Sequence, residues 1–213
     1  MQLRLEGAGR RYNRNWVFRG LSASWASPGS VAILGPNGSG KSTLLQILAG
    51  WVSPSEGSFR FFLDEDNGPT PELSRDMIYA HVSIAAPYLE LPGECTLFEL
   101  IGLQAGVKGL LQGLDVTAVH ALSGLAALAG IETRPFKLYS SGMKQRVKLL
   151  LAITSPSALV LLDEPFTNLD GTSAKWYEDL LQQYRGQRLI VIASNDLAEY
   201  RFCDERVDLN GFR

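Results

Sequence analysis

The chain has 213 residues, 46% hydrophobic and 20% charged, with a formal net charge of −2. That length suits one large or two small domains with a substantial core, and the small net charge supplies no basic field to draw in nucleic acid. Cys95 and Cys203 lie far apart and match no metal-ligand spacing, which points to neutral thiols in a reducing compartment.

Met1-Gln2-Leu3-Arg4-Leu5-Glu6 alternates like a strand and has no signal-peptide apolar core. No apolar run approaches the roughly 20 residues of a membrane helix. The chain is therefore expected to be soluble and cytoplasmic, with docking to a membrane protein left open. Residues 2–34 read as strand-like pieces broken by Gly20 and by Pro28-Gly29. Tyr12 and Trp16 stand in the polar run Arg10-Arg11-Tyr12-Asn13-Arg14-Asn15-Trp16. Either ring would serve to stack on a base or to pack on a small sheet.

Val31-Ala32-Ile33-Leu34 reads as a short apolar strand and Leu44–Ala49 as a helix. Between them lies Gly35-Pro36-Asn37-Gly38-Ser39-Gly40-Lys41-Ser42-Thr43, with two glycines five apart, then a lysine and a hydroxyl residue. Strand, loop and helix together are the context of a phosphate-binding loop. The glycines let backbone N–H groups turn inward as an anion nest, and the helix adds its positive dipole end. Lys41 is suited to reach the β- and γ-phosphates, and the Ser42 hydroxyl to bind Mg²⁺.

Trp51–Gly57 reads as a turn, Ser58–Leu63 as a strand and Asp64–Pro71 as an exposed loop whose acidic residues complete no calcium-loop spacing. His81–Ala86 is a further strand, closed by Pro87. Thr96-Leu97-Phe98-Glu99 has the form of a capping box. Residues 96–135 are mostly helical in pattern, with Asp115 and Thr117 as candidate starts for a second helix, so the region reads as a helical insertion in an α/β chain. Tyr139–Arg146 puts small hydroxyl and glycine residues at the N-terminus of the helix through Val147–Ala152, a pattern shared by anion sites and ordinary caps.

Leu159-Val160-Leu161-Leu162-Asp163-Glu164-Pro165 is an apolar strand ending in two carboxylates. In a phosphate-loop fold such a strand lies beside the loop's own strand. Asp163 then emerges near Ser42 to hold Mg²⁺, and Glu164 polarises the water that attacks the γ-phosphate. Ser173–Tyr184 reads as a helix and Leu189–Ala193 as a strand buried on both faces.

Aromatic loop, phosphate loop, helical insertion, Ser140-Ser141-Gly142-Met143-Lys144-Gln145-Arg146, the Asp-Glu strand and Asn168-Leu169-Asp170 follow in one order. In that order the chain resembles the nucleotide-binding subunit of an ABC transporter over nearly its whole length. The resemblance implies an α/β fold: a P-loop NTPase core of ABC type with a mainly parallel sheet, a small N-terminal antiparallel β subdomain and a helical insertion subdomain. Residues 1–213 would form a single ATP-binding domain, with 1–87 and 148–213 as core and β subdomain and about 88–147 as the helical signature subdomain.

Several roles follow from the same resemblance. ATP and Mg²⁺ are the implied cofactors, Lys41, Glu164 and Asn195 the catalytic groups, and Ser42 and Asp163 the metal ligands. Gly35, Pro36, Asn37, Gly38, Ser39, Gly40, Lys41, Ser42 and Thr43 hold the nucleotide, and Tyr12, ahead of Trp16, occupies the adenine-stacking position. Ser140 and Gly142, with the small Ser141 between them, match positions that touch the γ-phosphate held by the opposite subunit. Asp170 closes a loop that crosses the dimer interface. The implied partners are a transmembrane permease subunit and a second ATP-binding subunit in a homodimer, with no nucleic acid. The implied location is the inner face of the cell membrane, attached peripherally through the permease. A short chain without a C-terminal regulatory domain resembles exporter-type subunits.

Three departures from the family pattern stand out. The signature reads Tyr-Ser-Ser-Gly-Met where Leu-Ser-Gly-Gly-Gln is usual. No glutamine occurs between Gln46 and Gln104, so Ala86 or Pro87 fills the slot of a residue near Mg²⁺. Asn195 stands where the family has a histidine on the γ-phosphate. It keeps a neutral donor but cannot carry a proton as histidine does. The missing glutamine and Asn195 motivate one alternative, a subunit that grips ATP but hydrolyses weakly. A further alternative, a soluble ABC-type ATPase not linked to transport, would be marked by a long coiled coil, a tandem second cassette or a basic extension, and ranks last.

Overall fold

The computed structural model describes residues 1–63, 71–125, 130, 131 and 133–212. All but the last residue of the predicted acidic loop, Asp64–Pro71, lies outside them. Contacts divide the chain into two units: Met1–Ser83 with Ser157–Glu164 and Gln187–Arg213, and Ile84–Pro156 with Pro165–Gly186. In chain order the elements are β1 (Gln2–Tyr12), β2 (Asn15–Ala26), β3 (Gly29–Leu34), α1 (Lys41–Leu48), β4 (Glu56–Phe62), α2 (Ile78–His81), β5 (Val82–Ala85), α3 (Leu97–Val107), α4 (Val116–Leu122), α5 (Ser141–Thr154), β6 (Leu159–Asp163), α6 (Gly171–Tyr184), β7 (Leu189–Ala193), α7 (Leu197–Tyr200) and β8 (Glu205–Asp208).

The first unit holds two sheets. The smaller is antiparallel in the order β2-β1-β4. Leu3 and Leu5 of β1, Phe18 and Leu21 of β2 and Phe61 of β4 bury fully, while Gln2, Arg4 and Glu6 do not, the alternation expected of a sheet with one covered face. Gly20 does not break β2. It takes φ 74°, and β1 pairs on both sides of it, Ala8 opposite Leu21 and Arg10 opposite Phe18, so the irregularity is absorbed as a register shift.

The larger sheet runs β5-β6-β7-β3-β8, with β5 at the boundary of the two units and parallel pairing of β6 to β7, β7 to β3 and β3 to β8. The Asp-Glu strand β6 is therefore not beside the loop's own strand β3, as the sequence pattern leads one to expect, because β7 is inserted between them. Every residue of β6 and β7 is buried, as strands covered on both faces require. Leu44, Leu45, Ile47 and Leu48 of α1 are buried, and the helix packs on β6 and β7. This seats the phosphate loop at the ends of β3 and β6. His81 closes α2, so β5 begins one residue later than the sequence pattern suggests.

The second unit is helical. Thr96 starts α3 with both arms of the capping box: its hydroxyl accepts from the Glu99 N–H at 3.3 Å, and Glu99 Oε2 accepts from the Thr96 N–H at 2.7 Å. Asp115 caps α4 by accepting from the Ala118 N–H at 2.7 Å, which places Thr117 inside the helix. Because α5 packs on α3, α4 and α6, this unit runs on to Pro156 and takes in α6.

Candidate nucleotide site

The phosphate loop joins β3 to α1. Gly35, Gly38 and Gly40 all take positive φ, and Gly40 at 101° is the N-cap of α1. A Cβ on Gly40 would collide with Val17 and lie 3.1 Å from Phe18 Cδ1, so β2 presses on the loop where glycine alone fits. Lys41 is 5% exposed, and its Nζ donates to the Gly35 carbonyl at 2.7 Å and to the Pro36 carbonyl at 3.2 Å. A cleft of about 350 Å³ opens here, lined by Val17, Asn37, Gly38, Gly40–Thr43 and Glu164.

The two carboxylates end β6 as the sequence predicts. Asp163 is 2% exposed and close enough to the Ser42 hydroxyl to feel it electrostatically, while its Oδ2 has no hydrogen-bond partner among the described residues. Burial raises its pKa above the ordinary value. The Ser42 hydroxyl opposes that rise, the Glu164 charge adds to it and the Lys41 charge opposes it. Glu164 takes φ 45°, in the left-handed region that non-glycine residues enter at a cost, and its N–H donates to the Ala193 carbonyl at 2.9 Å. The turn brings Glu164 to the cleft wall.

Asn195 follows β7 and meets the loop directly. Its amide lies 3.0 Å from Asn37 Oδ1, and in the orientation where its nitrogen donates to the Gly35 carbonyl its oxygen accepts from Lys41 Nζ at 3.3 Å. The two aromatic candidates separate. Trp16 packs over Gly9, with the guanidinium carbons of Arg11 and Arg19 at 5.5 and 4.7 Å from its ring. Tyr12 is 46% exposed at the end of β1 and does not line the cleft.

The family profile described as ABC transporter matches residues 18–167. The chain belongs to this family. The cytochrome c biogenesis ATP-binding export protein CcmA of Paramagnetospirillum magneticum is 36% identical over 181 residues, 84% of this chain and 80% of that protein. The lantibiotic transport ATP-binding protein SrtF of Streptococcus pyogenes is 26% identical over 213 residues, 99% of this chain and 86% of that one. A dimeric ATP-binding cassette, solved in a post-hydrolysis state with ADP and Pi, shares the fold at TM-score 0.79 and 20% identity, covering 97% of this chain and 93% of its own. An ABC ATP-binding domain with an α/β phosphate-loop fold, a parallel sheet and a small antiparallel sheet is thus established.

In this ABC domain the signature residues belong to the second unit. Ser140 is the N-cap of α5, its hydroxyl accepting from the Met143 N–H at 3.2 Å, and Ser141 is the exposed first residue of the helix. Gly142 is required by its neighbour: a Cβ there would stand 2.7 Å from the Asn168 carbonyl oxygen. Asp170 is exposed and caps α6, accepting from the Ser173 N–H at 2.7 Å. Its pKa falls because Ser173 bonds the carboxylate, with Arg146 assisting. That cap starts α6 two residues earlier than the pattern suggests.

One residue here escapes motif reading. Lys148, seven residues beyond Ser141 on the same helix, donates from Nζ to the Ala86 carbonyl at 3.1 Å and to the Pro87 carbonyl at 3.0 Å. The stretch that lacks the family glutamine is thereby held through its backbone by a lysine. Helical spacing alone could have flagged Lys148 as facing the same way as Ser141.

Proposed function

We propose that this chain is the ATP-hydrolysing subunit of a membrane transporter, most simply an exporter, acting as an ATP-clamped homodimer beneath a transmembrane permease. One observation carries the reading: a buried Asp163, with an oxygen unpartnered among the described residues, lies near Ser42 at the foot of the phosphate loop, and Glu164 lines the cleft there. Ser42 and Asp163 form a hard oxygen donor pair that fits Mg²⁺ beside phosphate oxygens and waters. Bound there, Mg²⁺ would neutralise charge on the β- and γ-phosphates.

Lys41 and the loop N–H groups bind the triphosphate. Glu164 takes the proton of a water whose oxygen bonds to the γ-phosphorus while the bond to the β-bridging oxygen breaks, giving ADP and Pi. Tyr12 carries the adenine, and Ser140, Ser141 and Gly142 act on the nucleotide of the opposite subunit, with Asp170 in the loop between subunits. The names of CcmA and SrtF, an export and a transport protein, support the coupling to transport. Among the described residues no helix is long and apolar enough to cross a membrane, consistent with attachment through a permease at the inner membrane face.

The test is phosphate release from Mg-ATP by the chain with its permease. Glu164→Gln should lower turnover about 10²- to 10⁴-fold while ATP binding persists. Equal turnover in wild type and variant overturns the reading. A second reading, an ATP-gripping subunit with weak hydrolysis, is favoured by Asn195 in the histidine position and by Lys148 holding the glutamine-free stretch. A turnover in wild type well above that of Asn195→Ala in the same assay counts against it.

A further inference from the structure

We propose that Arg10 is a positioning residue for the nucleotide base, holding Tyr12 as a stacking platform with one face covered and the other free. The proposal rests on the reading that Tyr12 carries adenine.

Arg10 and Tyr12 are two residues apart on β1, so their side chains leave the same face of the strand. The Arg10 guanidinium carbon lies 4.7 Å from the Tyr12 ring centroid, within cation–π range. Arg10 is itself anchored. Its Nη1 donates to the Ser53 carbonyl at 3.0 Å. The backbone on either side is tied to the same segment: the Ser55 N–H donates to the Gly9 carbonyl at 2.7 Å, and the Arg11 N–H donates to Ser55 Oγ at 3.2 Å. Ser53 and Ser55 follow α1, the helix that begins at Lys41. Three hydrogen bonds thus tie the end of the β1 strand to the exit of the phosphate-loop helix.

Arg10 Nε is buried without a hydrogen-bond partner among the described residues, a cost that contact with the ring face offsets in part. Tyr12 remains 46% exposed, so the guanidinium occupies one ring face and leaves the other for a base. Trp16 offers no such face, because it lies over Gly9 with two guanidiniums on its ring. Stacking accepts any base through its π-face, so the platform orients the nucleotide without selecting its identity.

The test compares binding of ATP and of tripolyphosphate by calorimetry for the full chain and for Tyr12→Ala, Arg10→Met and the double variant. Tyr12→Ala should weaken ATP about tenfold and leave tripolyphosphate unchanged. Arg10→Met should weaken ATP about threefold, leave tripolyphosphate unchanged and add nothing in the Tyr12→Ala background. Should Arg10→Met not fold, Arg10→Lys keeps the charge but loses the planar stack and should show the same ATP-only loss. Equal weakening of ATP and tripolyphosphate, an Arg10 effect undiminished without the ring, or no effect on ATP overturns the role of Arg10 while Tyr12 stands. ATP binding unchanged in Tyr12→Ala overturns the base-stacking reading itself, and the Arg10 proposal with it.

Discussion

α1 and α5 both begin on small residues, yet Gly40 leaves the first turn of α1 with no side-chain cap, whereas Ser140 caps α5 with its own hydroxyl. Neither helix carries an acidic residue in its first turn. The loop before α1 closes on itself, through glycines at positive φ and a lysine that donates to two of the loop's own carbonyls. The start of α5 is shaped from outside, by the Asn168 carbonyl against Gly142. One helix start is thus shaped mostly within nine consecutive residues, with Val17 of β2 pressing on Gly40, and the other takes its limit from the Asn168 carbonyl alone. Helix N-termini that look alike in composition differ in how much of the fold must form before they exist.

Gly40→Ala probes the first kind most severely. It adds left-handed backbone strain to a collision with Val17, and should cost about 3 kcal/mol in denaturant unfolding together with the nucleotide affinity of the loop. A loss under about 0.5 kcal/mol would mean that β2 does not constrain the loop. Gly142→Ala probes the second kind. With no positive φ at stake, the cost comes from the Asn168 carbonyl alone and should be about 2 kcal/mol, leaving tripolyphosphate binding to the isolated chain unchanged. An unaltered unfolding midpoint would break the contrast. Ser140→Ala should have the smallest effect, about 1 kcal/mol, with Ser140→Gly recovering most of it, as caps behave. Equal losses from both would show that the hydroxyl is not the cap.

The same contrast explains what was legible in the sequence. The phosphate loop, the capping box at Thr96 and the apolar strands β6 and β7 depend on local chemistry, and each was readable from its own residues. Asp163 close to Ser42 was readable one step further, because parallel strands end on one edge of the sheet, but not for the reason that the strand pattern suggests: β6 and β3 are not neighbours, since β7 lies between them. Gly20 misleads because its positive φ breaks an isolated strand, whereas pairing with β1 on both sides holds β2 together. The cap role of Asp170 was hidden behind its resemblance to an interface loop, although Asp before a helix is an ordinary N-cap signal. The family spacing puts Tyr12 ahead of Trp16, but the arginines stacked on the two rings come from β1 and β2, and the Lys148 clamp falls on carbonyls far away in sequence. No spacing rule reports these contacts themselves.

Asp163 also sets a relation between stability and occupancy. Its folded pKa is raised above the unfolded value, so the native chain binds more protons across that interval and stability falls as pH climbs through it. Above the interval the fold holds an ionised carboxylate where burial disfavours it. A cation that engages the unpartnered oxygen favours the native chain over the unfolded one by mass action. Asp163 is in that sense a load on the fold. An apolar residue at the end of this otherwise apolar strand would not carry that cost.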